Sequence, residues 1–384
     1  MKNQISQLDH NLEWHTLPAL TEKVIEQAIA IQQIASPTFH EIRRADYVAS
    51  QFAAQRLLQV EMDEVYNVYG LLPGKQRHAP ALMVTAHTDT VFPLETDLSV
   101  HAEAGRIHGP GLGDNSIGVA GLLGLASFLQ KNHLIPCSDI WFVATSREEG
   151  MGDLGGMKAA FTRLKPRIHR VINLEGMALG HVYRAGIAVR RLHITAAAEG
   201  GHSWLNFGRS SAVHGILELG ARITALRPAQ APRTTYNIGL IEGGQSINSI
   251  ATQAGLWLDL RSEEPSGLAQ IEQEVRAQVQ AISRPDLSFS IEIVGDRPAG
   301  KLPPEHDLVQ GALGALAQVG LQGVLENGST DANIPLAAGC PAVTVGITRG
   351  GNAHRLDEYI ETQPVSVGLR QLIILALAAA NCLN

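Results

Sequence analysis

The sequence predicts an α/β protein in which a compact βαββαβ domain is inserted into a larger domain. Three observations carry this expectation. Short, continuous apolar runs such as ALMVTA (residues 81–86) and DIWFVAT (139–145) read as strands covered on both faces. Helical spacing alternates with these runs, as crossovers in a largely parallel sheet require. Between about residues 184 and 294 the order changes to strand, helix, two strands, helix, strand, the split-βαβ arrangement of a small two-layer domain.

In chain order, residues 21 to about 57 show helical spacing broken near Pro37, followed by strands near 67–72 and 81–86. After the Gly-rich turn 108–114, residues 116–129 form a helix rich in small side chains. The strand 139–145 leads to a loop with Glu148 and Glu149, a short helix and the strand RVINLE (170–175). The inserted segment supplies AVRRLHITAAA, a helix over 211–226, the strands TTYNIGLIEG and AGLWLDLRS, a helix over 265–283 and a strand over 287–294. A helix near 306–319, the loop ENGSTDANIP, the strand AVTVGI and an apolar helix over 372–383 complete the chain. The expected domains are residues 1–183 with 295–384, and 184–294. At about 150 residues per domain, 384 residues suit this division. There is no internal repeat and no low-complexity tract.

Composition narrows the function. Hydrophobic residues are 45% and charged residues 17%, which excludes a disordered or fibrous chain. A net charge of -7 without basic clusters, and 5% aromatics, argue against nucleic-acid partners. Cys137, Cys340 and Cys382 are too few and too far apart for a disulfide framework or a thiolate zinc site, which points to a reducing compartment. The polar N-terminal stretch lacks the apolar core of a secretory signal, and residues 372–383 are shorter than the roughly 20 residues a bilayer span needs. A cytoplasmic location without membrane association is the expectation.

Five acidic or imidazole clusters fall at strand ends or in the loops after them, where open α/β sheets place their ligands. His87 follows ALMVTA, and Asp89, two residues on, can reach the same ring. Asp114 in GPGLGDNSIG reads either as a helix N-cap or as a carboxylate able to bridge two cations. A dinucleotide loop fits this stretch poorly, because an acid directly after the glycines repels pyrophosphate. Glu148 and Glu149 end a buried strand, so one can bind metal while the other handles a proton. Glu175 ends RVINLE, and His354 follows AVTVGI in GGNAHRLDEY. Two imidazoles and three carboxylates suit a pair of Zn²⁺ ions, with Co²⁺ or Mn²⁺ as substitutes.

These motifs, AHTDTVFP, GPGLGDNSIG, SREEG, NLEG, GGHSW, GGQSINSIA with DLRS, GSTDA and NAHRLDE, occur in order from about residue 80 to 360. As an ordered set they resemble the M20 family of zinc-dependent exopeptidases and amidohydrolases, which includes glutamate carboxypeptidase, acetylornithine deacetylase, succinyl-diaminopimelate desuccinylase and peptidase T. The resemblance implies a zinc-exopeptidase-like catalytic domain with a ferredoxin-like lid and dimerisation domain. It implies that His87, Asp114 and Glu175 bind one zinc, and that Asp114, Glu149 and His354 bind the other. Asp89 would orient His87, and Glu148 would serve as general base and then general acid. His202 in GGHSW would reach the active site of a partner subunit in a homodimer. Asn248 and Arg261 match positions that bind the substrate's carboxylate or backbone. Trp204 stands where small residues are usual, which would narrow the pocket if the ring does not pack. Asp331 in GSTDA would cap a helix lining the site.

The implied reaction is hydrolysis of an amide or peptide bond in a small peptide or N-acyl amino acid, of carboxypeptidase or deacylase type, a choice toward which Glu175 in place of Asp tilts the reading. The alternatives are an aminopeptidase or di/tripeptidase of the same family and a non-catalytic ligand-binding relative, against which the intact ligand set and Glu148 speak. A nucleotide-dependent enzyme would need a phosphate loop that the sequence lacks.

Overall fold

The computed structural model describes residues 1–380, and the chain divides into two compact units, Met1–Gly186 with the chain from Gly300 onward, and Ile187–Ala299. The first unit opens with α1 (Lys2–Asn11), α2 (Leu17–Gln32) and α3 (Ile42–Ala54). The stretch read as one broken helix is therefore two, the first ending before Pro37, whose ring disfavours helical backbone at the residue before it, and the second starting after it. The helix α1 was not expected from its polar sequence. Its Ile5 is buried, and Asp9 binds the Arg370 guanidinium through both carboxylate oxygens at 2.8 and 2.7 Å. Next come β1 (Leu58–Met62), β2 (Val68–Leu72), β3 (Ala81–His87), β4 (His101–Glu103) and β5 (Arg106–His108). They are followed by α4 (Ile117–Lys131), β6 (Ile140–Thr145), α5 (Gly155–Leu164), β7 (Ile168–Leu174) and β8 (His181–Gly186).

The second unit comprises β9 (Ala188–Ala198), β10 (Gly201–His202), α6 (Ala212–Thr224), β11 (Thr234–Gly243), β12 (Ser249–Ile250), β13 (Gln253–Ser262), α7 (Pro265–Ile282) and β14 (Leu287–Arg297). Its antiparallel sheet has the order β11-β13-β9-β14. Alternation decides its faces: Leu192, Ile194, Leu256, Leu258 and Leu260 are buried in one core with the helix residues Ile216, Leu219, Ile271 and Val275. Between them on the strands, His193 and Trp257 are cross-strand neighbours whose rings stack at 3.9 Å.

The first unit then resumes with β15 (Gly300–Lys301), α8 (Asp307–Gln318), β16 (Val324–Gly328), α9 (Asn333–Ala337), β17 (Ala342–Val345), β18 (Gly350–Gly351), β19 (Tyr359–Glu361) and α10 (Val365–Ala379). The division falls three and five residues beyond the expected boundaries, because β8 runs to Gly186 in the large sheet and β14 continues to Arg297 beside β9. The apolar C-terminal helix begins at Val365, earlier than expected, and its expected end, residues 381–383, lies outside the described residues. Cys340 is free, and Cys382 lies outside the described residues.

The large sheet has the order β1-β2-β6-β3-β7-β17-β8-β15, with β16 also on β8. Its centre, β6, β3, β7 and β17, is parallel, and nearly every residue on these strands is buried. A second, small sheet pairs β18-β19-β5-β4. Leu112–Lys131 is long and apolar enough to cross a membrane by length and composition, but 94% of its most apolar window is buried in this unit, as in a core helix. Gly124 in α4 lets α2 approach, since a Cβ there would sit 2.6 Å from Val24.

Candidate active site

The carboxyl ends of the parallel strands converge, and the acidic and imidazole residues lie there. His87, at the end of β3, is 1% exposed. Its Nδ1 lies 3.1 Å from the main-chain carbonyl of Asp89 and 3.6 Å from that residue's carboxylate. A carbonyl only accepts, so Nδ1 carries a proton and Nε2 is the ring atom turned into the cluster. That Nε2 faces Asp114 Oδ1 at 3.0 Å and Glu175 Oε2 at 3.6 Å. His354, on the loop between β18 and β19, sets its Nε2 3.1 Å from Asp114 Oδ2 and 3.1 Å from Glu149 Oε1. Asp114 thus meets both imidazoles, one with each oxygen.

The local supports differ from residue to residue. Asp89 is fully buried and holds the loop after β6: its Oδ1 accepts the Glu148 N–H and its Oδ2 the Glu149 N–H, both at 2.9 Å, and Thr38 Oγ1 donates to Oδ2 at 2.8 Å. Its carboxylate therefore anchors the two glutamates, while its main chain orients His87. Glu175 follows β7, and Asn115 braces the chain on either side of it, donating to Leu174 O at 2.8 Å and accepting from Gly176 N at 2.9 Å. Glu358, also fully buried, accepts from Gly113 N (2.6 Å), Asp114 N (2.9 Å) and His354 N (3.3 Å). Neither Asn115 nor Glu358 stood out in the sequence, because each acts on main-chain groups of which most are distant in the chain and carries no local signature.

Asp114 is no helix cap: it lies in a distorted turn ahead of α4 at φ −119°, ψ 87°, joined to Asn115 by a cis peptide bond. Asp331 is also not a side-chain cap. No side chain caps α9, and the Asp331 carboxylate accepts from Thr145 Oγ1 at 2.6 Å. Burial, and then the charge of Glu148, push Asp331 up to about 8.

Electrostatics agree with a site built for cations. Burial pushes Glu149 up to about 7 and raises Glu175. Hydrogen bonds that His354 Nε2 donates to Asp114 and Glu149 push His354 up to about 10. Burial pulls His87 down, but Asp114, Asp89 and Glu175 outweigh it and hold the ring well above its ordinary range. Both imidazoles are thus raised by a cluster with excess negative charge.

A tetrahedral ion with ligand bonds of about 2.0–2.1 Å keeps neighbouring donor atoms about 3.3 Å apart. The four imidazole–carboxylate separations of 3.0–3.6 Å bracket that distance. Among the described residues, ligand atoms of His87, Asp114 and Glu149 all lie within 4.8 Å of one another. The nitrogen and oxygen donor set fits zinc.

The other three expected site residues lie on the second unit. His202 and Asn248 belong to one ribbon, in which β10 pairs with β12 and Ser203 N donates to Asn248 O at 3.0 Å. His202 Nδ1 accepts from the Trp204 and Leu205 N–H groups at 3.2 and 3.4 Å, so a neutral ring carries its proton on Nε2. The Asn248 side chain accepts from Ser246 Oγ at 2.6 Å. Arg261 donates through Nε and Nη2 to Asp259 Oδ2 at 3.0 and 2.8 Å, so its guanidinium is already engaged within the sheet. Trp204 is 83% exposed and does not pack within its unit.

Comparison with known proteins is consistent with this geometry. The model of peptidase family M20/M25/M40 matches residues 83–378. A probable carboxypeptidase of Aspergillus clavatus is 32% identical over 252 residues, 58% of this chain and 54% of the relative, so the chain spans about half the length of that protein. Aminopeptidase PepT of Bacillus cereus has a similar fold, with a TM-score of 0.74 at 19% identity, over 94% of this chain and 99% of that one. So does the di-peptidase Dug1p of Saccharomyces cerevisiae, with a TM-score of 0.77 at 11% identity, over 99% and 98%.

Proposed function

The chain belongs to peptidase family M20/M25/M40, and from that premise we propose that it is a metal-dependent hydrolase cutting an amide or peptide bond beside a free carboxylate in a small peptide or N-acyl amino acid. The observation that carries the reading is the meeting of two imidazoles and three carboxylates from five separate segments of the chain, with Glu148 next in sequence to Glu149. Two Zn²⁺ ions per subunit are the proposed cofactors, held by His87, Asp114 and Glu175 and by Asp114, Glu149 and His354, with Co²⁺ or Mn²⁺ able to substitute. Bound there, divalent cations supply a water-derived nucleophile near neutral pH and polarise the scissile carbonyl.

The chain's own groups do the rest. Glu148, its main chain fixed by Asp89, takes a proton from the attacking water and delivers it to the leaving amine. His202, with Nδ1 occupied by main-chain donors, offers its Nε2–H to the developing oxyanion. Glu148→Gln is expected to lower kcat roughly 10²–10⁴-fold with metal content unchanged; near-normal turnover would remove Glu148 from this role. The named activity of the A. clavatus relative supports the carboxypeptidase or deacylase form over an aminopeptidase or tripeptidase. Assays with N-blocked and C-blocked peptides separate the two, since only the former should be cut.

The proposal includes a homodimer in which His202 serves the partner subunit. Supporting it, the turn after His202 exposes Leu205 and Phe207, the latter at 92%, and the edge strand β11 exposes Leu240 and Ile241, a surface suited to burial against a second copy. Mixing inactive Glu148 and His202 variants should restore activity once subunits exchange. No recovery after demonstrated exchange would assign His202 to its own subunit or to no catalytic part.

A further inference from the structure

Asp114 and His354 are 240 residues apart, and both belong to loops that leave the small sheet. Strand β5 runs through His108 into the turn carrying Asp114, and β19 pairs with β5 in the register Tyr359↔His108, Ile360↔Ile107 and Glu361↔Arg106. The residue just before that ladder is Glu358, whose main-chain carbonyl accepts the Gly109 N–H at 2.8 Å. The register therefore sets the Glu358 side chain beside the Asp114 turn. There Oε1 accepts both the Gly113 and Asp114 N–H groups, and Oε2 accepts the His354 N–H. Among the described residues no Lys or Arg pairs with this fully buried carboxylate. Its hydrogen-bond partners among the described residues are the main-chain N–H groups of Gly113, Asp114 and His354. His354 also sits at φ 65°, a left-handed backbone that costs an ordinary L-residue of order 1 kcal/mol and persists only where its surroundings hold it.

We propose that Glu358 is a positioning residue that locks the Asp114 and His354 loops to each other and so sets the affinity of the cation site these two residues share. This rests on the metallohydrolase reading above. The two carboxylate oxygens divide the work. In Glu358→Gln the remaining oxygen can keep the Gly113 and Asp114 N–H groups, whereas the new NH₂ meets the His354 N–H donor to donor. In Glu358→Ala both halves are lost.

The test uses the full-length protein and two readouts. In metal-free protein, hydrogen exchange should show the peptides spanning 109–117 and 350–358 losing protection together in Glu358→Ala, and only the second doing so in Glu358→Gln. In Zn²⁺ titrations against a chromogenic chelator, one of two binding steps should weaken by roughly 10–100-fold, the range typical of hydrogen-bond partners that orient metal ligands. Asp139→Asn is the control: Asp139 is also a mostly buried carboxylate, accepting the Gly74 N–H at 2.8 Å away from the cluster, and it should move neither readout. Unchanged exchange in both segments, or both Zn²⁺ steps at wild-type affinity in Glu358→Ala, would overturn the proposal. Failure of the wild-type protein to bind any divalent ion would instead overturn the metal reading, while exchange would still decide whether Glu358 joins the two loops.

Discussion

His87 and His354 bring the same ring to one cluster on different supports. His87 is 1% exposed at the end of a strand paired on both sides. The His354 side chain is 53% exposed, on a loop at positive φ. The first ring is placed by the parallel ladder and the Asp89 carbonyl, the second by a three-strand register and one buried glutamate. The contrast teaches that a strand end needs little beyond its ladder to aim a side chain, whereas a loop needs a dedicated acceptor.

The widest separation between the two halves is expected from His87→Ala and His354→Ala. Each should weaken metal binding by more than about 100-fold, beyond the usual cost of losing an orienting partner. The metal-free proteins should differ: His87→Ala leaves buried carboxylates uncompensated and should cost about 3–5 kcal/mol, whereas loss of the exposed His354 ring, screened by solvent, should cost no more than about 1 kcal/mol. Urea unfolding of both variants measures this, and equal losses would erase the distinction.

Next in size is the pH dependence of metal uptake. With His354 at about 10, its ring is protonated at pH 7 in the metal-free chain, and the acidic neighbours of His87 hold that ring above its ordinary range as well. A ligating imidazole must be neutral, so binding expels protons and apparent affinity rises with pH, tenfold per unit for each proton released. Calorimetry in two buffers of different ionisation enthalpy should register at least one proton released per chain; none would show that the rings do not ligate.

Smaller effects probe single supports. Asn115→Ala strands Leu174 O and Gly176 N and should cost roughly 1–3 kcal/mol, weakening the proposed cation step at Glu175 and sparing the His354 side. Two-step metal titration distinguishes this from a general loss. Thr38→Val removes one of the three bonds to the Asp89 carboxylate and should cost about 1 kcal/mol, read as a few-fold fall in kcat at constant metal content. A larger fall would mean that the Glu148–Glu149 loop depends on Thr38 more than on the two amides.

Legibility in the sequence followed local pattern. β9 and β11 were readable to the residue, because an alternating or apolar strand bounded by turn residues is its own signature. The two-residue and three-residue strands of the small sheet, and the partly polar β16, gave no such signal; they exist because another strand lies beside them. The same division runs through the site. His87, Asp114, Glu149, Glu175 and His354 stand where strand ends and turns could be recognised, whereas Asn115 reaches main-chain groups 59 and 61 residues away and Glu358 ties His354, four residues off, to main-chain groups 244 and 245 residues away.

The sequence by itself determined the residue types at each strand end, the order of elements and the interruption by a βαββαβ unit, because apolar periodicity and turn chemistry are local. Only the tertiary structure decided that the Asp89 carboxylate grips the Glu148–Glu149 loop, that Arg261 is engaged by Asp259, and that Glu358 joins the Asp114 and His354 loops. Those outcomes depend on strand register, and a hydrogen bond between distant loops forms only after the ladders on either side have aligned them.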